Sequence, residues 1–312
     1  MPLEFFRNAD DRLLFEAVSG AFAVDRVRHE PETIEARDAA QATISEQGLI
    51  QPVDLPGNQS IGISLLEATA IVEAAGKYQT NFPLTESIVL ATAFAADGRT
   101  LDAGVQDESC IARLGAGAEP RDGDNWSIDT GAVEGQHAAT CVSAPEGRDR
   151  FVVERDLRPV VWVLMASDIL GAAQSLFDKS MNYLGERQQF GQPLSSYQAL
   201  RHRAADDWVA LEDMRAAIDY AAALFDSGGD PGAVLDAARI AKATASEFGT
   251  TVAENAIQYH GAVGFTWEFG LHFALKRIKR LSLTQGTASD HYRLIGSRYL
   301  QGIAKNSDTS GA

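Results

Sequence analysis

Residues 186–199 read ERQQFGQPLSSYQA, and this stretch interrupts a long helical pattern. The pattern before it predicts a helix that ends at Phe190 and Gly191, because glycine commonly closes a helix in the left-handed conformation. Pro193 then starts a turn, and a second helix is expected to begin near Ser196. Arg187 adds a planar guanidinium that suits a phosphate or a carboxylate. The stretch therefore predicts two helices joined by a short loop that carries a potential anion ligand.

Two long helices follow this loop. Apolar residues step by threes and fours through residues 197–225 and again through residues 234–259, which is the spacing of amphipathic helices. Between them lies SGGDPG, residues 227–232, where a glycine can close the first helix and Asp230 can cap the second. Helices with so short a connection run antiparallel. With an apolar helix before them and another near the C-terminus, they predict an antiparallel four-helix bundle.

The rest of the chain divides by composition. Residues 1–98 predict an N-terminal helical domain. Residues 99–153 are dense in Gly, Asp and Pro, with short apolar runs between them, and predict a reduced β region; a flexible loop is the alternative. Residues 154–305 hold the bundle, and residues 306–312 read as a disordered tail. The predicted fold class is mainly α.

Charge and composition exclude several classes of protein. The net charge is −16, and residues 1–150 contribute −14 of it, since they carry 11 Lys and Arg against 25 Asp and Glu. This acidity argues against nucleic-acid binding. The two cysteines, Cys110 and Cys141, form no CxxC pair, so a disulfide framework or a zinc site is not expected. We expect no stretch of ~18 apolar residues, no membrane partner and a cytoplasmic location.

Two further motifs combine with the first. AIQYHGAVGFTWE, residues 256–268, ends a helix in a glycine-containing turn whose backbone amides can hold an anion. Gln285-Gly286-Thr287 follows a basic helical segment, LKRIKRL, which is most simply a solvated face. Each stretch alone also fits a purely structural role. In that role Arg187 pairs with a surface carboxylate, the glycines only end helices, and His260 is a loop histidine whose hydrogen bonds are made within the fold.

Together the three motifs, RxxFGxPLxxxQ, IQxHGxxGFTxE and a polar residue before Gly-Thr, resemble the C-terminal helical domain of the flavin-dependent acyl-CoA dehydrogenases. The resemblance covers residues 165–302, about half of the chain, and is weaker over residues 33–98. It implies an acyl-CoA dehydrogenase-like fold, and an FAD shared between neighbouring subunits. The residues that it implies touch the neighbour's FAD are Arg187, Phe190, Gln198, Gln258 and Gly261. Ala262 stands where the family usually has a second glycine.

The same resemblance implies that the catalytic base is missing. In one group of the family the base is the glutamate of a Glu-Gly-Thr turn, and here that position is Gln285. A glutamine has no lone pair basic enough to take a proton at neutral pH, and loss of a general base typically costs about 10²–10⁴-fold in rate. A second group places the glutamate on the central helix, at the position of Val161. The segment of the family's β-domain that holds the flavin ring is not recognisable in this sequence either.

These losses resemble the small, base-lacking subunit of a heterotetrameric, α2β2 acyl-CoA dehydrogenase of the steroid-degrading type. The implied partners are a larger catalytic subunit that binds most of the acyl-CoA, and an electron-transfer flavoprotein or similar acceptor. Two alternatives stay open: a flavin monooxygenase on the same fold, and a non-enzymatic partner chain that never touches FAD.

Overall fold

A computed structural model of the chain describes residues 9–24, 44, 46–57, 62–80, 82–98 and 155–309, together with short strand segments between residues 112 and 153. Eight α-helices are present in these residues. They are α1 Ala9–Val24, α2 Leu65–Lys77, α3 Leu84–Ala96, α4 Arg158–Glu186, α5 Gln198–Asp226, α6 Pro231–His260, α7 Leu271–Leu283 and α8 Ala288–Thr309. The prediction of a mainly α chain, with a helical start, a β region and a C-terminal helical bundle, is confirmed. Residues 25–43 of the expected N-terminal helical domain lie outside the described residues.

Helix α4 is the centre of the fold. Its first residues, from Pro159 to Ala173, are buried on every side, as expected of a helix that is apolar all round. Helix α6 packs along both α4 and α5, α7 packs against α4 and α6, and α8 packs on α6. The four predicted bundle helices are α4, α5, α6 and α8, and α7, which contains the basic helical segment LKRIKRL, packs against α4 and α6 in addition.

The turn between α5 and α6 has the predicted chemistry. Gly228 adopts a φ of +68° just after α5. The Asp230 side chain accepts a hydrogen bond of 3.0 Å from the Ala233 amide, and Pro231 occupies the first turn of α6. Such an N-cap contributes about 1 kcal/mol. Local signals in SGGDPG were sufficient to place both helix ends.

Residues 112–153 contain a small sheet. Its strands are β1 Ala112–Leu114, β2 Trp126–Asp129, β5 Thr140–Ser143 and β6 Arg150–Val153, in the order β1-β2-β5-β6. The β1–β2 pair is parallel, and the other two pairs are antiparallel. Strands β3 Val133–Glu134 and β4 His137–Ala138 form a separate pair. The described strands therefore favour the reduced β region over the alternative of a flexible loop.

Helix α2 crosses α4 at very close range, because each helix has a glycine at the crossing. A Cβ on Gly171 would lie 2.7 Å from the Lys77 amide nitrogen and would overlap the Glu73 carbonyl oxygen. A Cβ on Gly76 would overlap the Asp168 carbonyl oxygen. Only glycine allows this approach, so the N-terminal helices are positioned on the bundle by backbone contact.

Two expectations about where helices end and one about a solvent-exposed helix face were wrong. Helix α4 ends at Glu186, four residues before Phe190, because a β-hairpin of Gln188–Gln189 and Gln192–Pro193 follows it. Helix α8 continues to Thr309, so residues 306–309 are helical where a disordered tail was expected; residues 310–312 lie outside the described residues. Arg277, read as part of a solvated face, is instead largely buried.

The burial of Arg277 is explained by its partners. Its guanidinium makes bonds of 2.6 and 2.8 Å to the Asp168 carboxylate and a third, of 2.8 Å, to the Thr80 carbonyl. The two side chains are only 14% and 6% exposed. Helix α7 is thereby tied to α4 and to the end of α2.

By length and composition, α4 is the one helix in the described part of the chain that could cross a membrane. This differs from the expectation that no stretch would be long and apolar enough. Within the fold, 89% of its most apolar window is buried. A buried core helix has the same composition, so the feature is weak support for a membrane span.

Candidate functional site

A tight hairpin displays Phe190 at one end of the bundle. The two residues at its tip, Phe190 and Gly191, have φ values of +52° and +82°, which is the combination that a two-residue type I′ turn requires. Phenylalanine in this conformation costs about 1–2 kcal/mol. Its side chain is also 94% exposed. A strained, exposed aromatic residue at a turn is more typical of a binding surface than of structural packing.

Arg187 and Gln198 flank the hairpin. Arg187 caps the C-terminus of α4, and its carbonyl oxygen accepts a 2.8 Å hydrogen bond from the Leu194 amide. Its side chain is exposed, and no carboxylate pairs with it within the described residues. Gln198 is the exposed first residue of α5. The Tyr197 hydroxyl donates a 3.0 Å bond to the Gln189 carbonyl and so fixes the hairpin against α5.

The second predicted motif forms the end of α6. Gln258 and Gly261 are both exposed. Gly261 has a φ of +61°, and a Cβ added there would meet nothing within 4 Å. A short 3-10 helix, Gly261–Phe265, follows it and exposes Ala262. The turn is therefore open to a ligand from outside, and Ala262 is exposed beside it.

Ring stacking brings the two motifs to the same end of the bundle. The Tyr183 ring, one turn before Arg187, stacks on the His260 ring with centroids 4.3 Å apart. His260 is 4% exposed, and its Nδ1 lies 2.8 Å from the Ala256 carbonyl oxygen. Burial lowers the pKa of this imidazole. His260 is thus a neutral, hydrogen-bonded histidine that joins α6 to α4.

Sequence reasoning overlooked two other exposed rings at this end. Phe265 is 74% exposed and Trp267 is 60% exposed. Both follow Gly261 in the quoted motif, so their position was known, but sequence alone could not show that they face outward. Together with Phe190 they give this end of the bundle an exposed aromatic character. We call the surface formed by Arg187, Phe190, Gln198, Gln258 and Gly261 the outer face.

Gln285 lies elsewhere, in the turn between α7 and α8. It adopts a φ of +62°, and Gly286 follows at +99°. Two buried side chains hold the turn through its carbonyl groups. His291 Nε2 lies 3.1 Å from the Gln285 carbonyl oxygen, and Lys242 Nζ donates a 3.4 Å bond to the Gly286 carbonyl. Thr287 precedes α8 and caps it: its amide and hydroxyl donate to the Asp290 carboxylate, and its hydroxyl oxygen accepts a bond from the Asp290 amide.

Behind this turn lies a cluster of nitrogen-bearing side chains. Trp162 meets His291 edge-to-face, with centroids 4.9 Å apart. The Arg239 guanidinium carbon lies 5.2 Å from the centroid of the Trp162 ring. Lys242 is completely buried, and burial lowers its pKa to about 8. Burial and the nearby Lys242 lower the pKa of His291 to about 4, so this imidazole is neutral. We call Trp162, Arg239, Lys242 and His291 the inner cluster.

Neither of the two positions discussed as possible base sites holds a carboxylate. Val161 is fully buried in α4 beside Trp162, and Gln285 is joined to Trp162 through His291. Asp290, the nearest acid along the chain, is engaged by the Thr287 amide and hydroxyl, which lower its pKa. The inner cluster can donate hydrogen bonds and offer positive charge, but its residues include no carboxylate of the kind that the family uses as its base.

Lys242, Arg239 and His291 were not identified from the sequence. Lys242 and Arg239 are three residues apart on α6 and stand among the alanines of its apolar stripe, where lysine is almost never fully buried unless paired. That conflict between charge and position was the available signal. No group of three or more His, Cys, Asp or Glu suited to a metal ion is present among the described residues.

Comparison with known proteins agrees with this arrangement. Residues 163–300 match the family model described as acyl-CoA dehydrogenase, C-terminal domain. The chain is 35% identical over 124 residues to acyl-CoA dehydrogenase IpdE2 of Mycolicibacterium smegmatis, which covers 40% of this chain and 37% of that protein. It is 32% identical over 136 residues to the human short-chain specific acyl-CoA dehydrogenase, which covers 44% of this chain and 32% of that protein. The match spans about a third of each relative.

Solved structures extend the similarity to nearly the whole chain. The steroid acyl-CoA dehydrogenase Tcur3481–Tcur3483, in a G363A variant, superposes with a TM-score of 0.76 at 22% identity, over 95% of this chain and 99% of that one. The ChsE4–ChsE5 complex of Mycobacterium tuberculosis gives 0.75 at 19% identity, with the same coverage. At these identities the likeness concerns the fold. The chain has the acyl-CoA dehydrogenase fold, and its residues 163–300 match the model of the acyl-CoA dehydrogenase C-terminal domain.

Proposed function

We propose that this chain is the subunit without a catalytic base in a heteromeric, FAD-dependent acyl-CoA dehydrogenase. In this role it completes the FAD site of a larger partner chain, and the partner supplies the carboxylate. The observation that carries the proposal is the Gln285-Gly286-Thr287 turn. Buried side chains hold this turn in position. The residue at the position of the family's base, Gln285, has an amide side chain and cannot take the proton.

The geometry around Gln285 supports loss of catalysis. Lys242 and His291 bond the turn through its backbone carbonyls, and these contacts do not require a carboxylate at position 285. The Lys242 ammonium bonds the carbonyl of the next residue, Gly286. A positive charge so near the turn would lower the pKa of a carboxyl group at position 285, which weakens it as a base.

The outer face supports a role in holding a cofactor. Arg187 offers a guanidinium with no competing carboxylate in the described chain, and the Gly261 turn offers backbone amides at the same end of the bundle. Both suit the pyrophosphate of a dinucleotide. Phe190 offers an exposed ring for an apolar part of the same molecule, and Gln258 and Gln198 add amides. FAD, when bound, accepts the hydride that leaves the acyl chain. The residues of this chain bind and orient it.

The expected partner and substrate are proposed by analogy with the structural neighbours. Tcur3481–Tcur3483 and ChsE4–ChsE5 are complexes of two differently named chains, and the first is called a steroid acyl-CoA dehydrogenase. By analogy we propose a heterotetramer that acts on a bulky, steroid-derived acyl-CoA in the cytoplasm, with an electron-transfer flavoprotein or a similar protein as acceptor. The partner chain is expected to bind most of the substrate.

Co-expression with candidate partner chains tests the proposal. The complex is expected to contain FAD and to oxidise acyl-CoA, whereas the isolated chain should do neither. Arg187→Ala is expected to lower the FAD content of the complex. Arg293→Ala is the matched control, because Arg293 is a largely exposed arginine on α8, away from the outer face.

Three results would contradict the proposal in different ways. Acyl-CoA oxidation by the isolated chain would show that it has its own base. Gain of activity in isolated Gln285→Glu would show that only the base was missing. Full FAD content in the assembled Arg187→Ala complex would favour a partner chain that never touches the cofactor.

A further inference from the structure

The inner cluster holds more positive charge than its described neighbours balance. Arg158 is paired with Asp156 by bonds of 2.8 and 2.6 Å. Arg239 reaches Asp236 only at 3.5 Å, and Arg298 competes for the same carboxylate oxygen at 2.9 Å. No carboxylate contacts Lys242 in the part of the chain that the structure describes. A buried charge without a partner is costly, so the cluster is suited to receive an anion.

Hydrogen-bond donors in the cluster are also unused. Trp162 is 5% exposed and Arg239 is 7% exposed, and neither Trp162 Nε1 nor Arg239 Nε has a partner. Lys242 is fully buried and uses two of its three ammonium protons, on the Ser246 hydroxyl and the Gly286 carbonyl. Buried donors are satisfied in the great majority of native proteins. Two unpartnered N–H groups beside a buried ammonium therefore point to a missing acceptor.

We propose that the inner cluster is a binding site for the carboxylate of a small organic acid, with Trp162, Arg239 and Lys242 as its donors. The acid is an otherwise apolar molecule, because the neighbouring residues of α4 are buried valines and leucines. The neutral His291 ring lines the site and links it to the Gln285 turn. This inference concerns the chain's own residues and needs no bound flavin.

A carboxylate suits the cluster better than a phosphate. Three free donors are enough for two carboxylate oxygens, whereas a phosphate group brings a larger charge and three strong acceptor oxygens. A cofactor phosphate held at the outer face would also be far from the inner cluster. Trp162 and Arg187 are separated by 25 residues at the two ends of α4, which is about 37 Å along a helix axis. The two anion sites are therefore distinct.

Indole NMR of the full chain, labelled with ¹⁵N, tests this site directly. The chain has four tryptophans, and the Trp162 signal is identified by its loss in Trp162→Phe. We expect sodium hexanoate to shift the Trp162 indole signal saturably. Hexanamide, of similar shape but without charge, and inorganic phosphate should leave it unchanged at equal concentration.

Substitutions then separate a charge-dependent site from an apolar cavity. Arg239→Gln and Lys242→Met are each expected to weaken hexanoate binding at least about tenfold, since each removes a charge-assisted hydrogen bond. Arg293→Gln, on the exposed side of α8, should not change the affinity. Equal binding of hexanoate and hexanamide, preference for phosphate, no shift with hexanoate, or unchanged affinity in Arg239→Gln would each overturn the proposal. None of these readouts depends on FAD or on a partner chain.

Discussion

Replacing Lys242 with methionine is expected to change how the stability of the chain depends on pH. Lys242 is fully buried, and burial lowers its pKa from 10.5 to about 8. The unfolded chain therefore binds one more proton than the folded chain between about pH 8 and pH 10.5. Folded-state stability must rise with pH across that window. Methionine has a similar length and no titratable group, so the variant lacks this contribution.

The size of the effect follows from the pKa change. A lowering of about 2.5 units corresponds to a cost of about 3 kcal/mol at pH 7, where the ammonium is protonated in both states. Between pH 7 and pH 9.5 the buried ammonium loses its proton, and about 2 kcal/mol of that cost disappears. Loss of the bonds to Ser246 and Gly286 costs the variant about 0.5–1.5 kcal/mol each. That second cost hardly depends on pH, so it shifts the difference between the proteins without changing its slope.

Urea unfolding followed by circular dichroism measures the prediction. The free energy of unfolding of the wild-type chain is expected to gain about 2 kcal/mol on that of Lys242→Met between pH 7 and pH 9.5. Lys279→Met is the control, because Lys279 is 46% exposed and paired with Glu254 on the surface; its difference from wild type should stay within about 0.5 kcal/mol. The reasoning would be refuted if the difference in free energy of unfolding between wild type and Lys242→Met stayed constant, or fell, from pH 7 to pH 9.5.

Two further predictions concern the packing of α4. Gly171→Ala should lower stability by about 1–3 kcal/mol, because its Cβ meets backbone atoms of α2 that cannot rotate away; Gly185→Ala, on the same helix with nothing within 4 Å, should raise it by up to about 1 kcal/mol. Similar urea midpoints for the two would disprove the close crossing. Asp168→Asn leaves the Arg277 charge buried without its partner and should cost about 3–5 kcal/mol in the same assay, whereas a loss below about 1 kcal/mol would show that the pair is not needed.

The helices were predictable where local chemistry is decisive. The α5–α6 turn shows this, since a glycine, an N-cap aspartate and a first-turn proline lie within six residues and each acts locally. The end of α4 was misplaced, because Phe190 and Gly191 do adopt left-handed conformations but use them in a hairpin. A helix end and a two-residue hairpin turn can both place a glycine in the left-handed conformation, so the residues at positions 190 and 191 fit either structure. Only the pairing of Gln188–Gln189 with Gln192–Pro193 distinguishes them, and that pairing depends on contacts the sequence does not display.

The candidate sites differ in the same way. The outer face could be listed residue by residue because its members lie in short contiguous motifs that resemble a known family. The inner cluster could not, since Trp162, Arg239 and His291 come from three helices separated by long stretches of sequence. Arg277 was misread for the same reason. Its partner, Asp168, lies 109 residues away on α4, and a basic segment with no visible partner looks like a solvated surface.

The inner cluster gives Gln285 a meaning beyond the loss of a base. A glutamate in this turn would add a negative charge next to Gly286, whose carbonyl Lys242 bonds, and this charge would oppose the binding of a ligand carboxylate at the inner cluster. An amide of nearly the same shape adds no charge there. If the cluster binds an organic acid, Gln285→Glu should weaken that binding even though it restores the residue type used for catalysis elsewhere in the family. Hexanoate titration of this variant, followed at the Trp162 indole signal, separates the two ideas: unchanged affinity would mean that Gln285 records only lost catalysis, whereas weaker binding would mean that the pocket has been adapted to hold an anion.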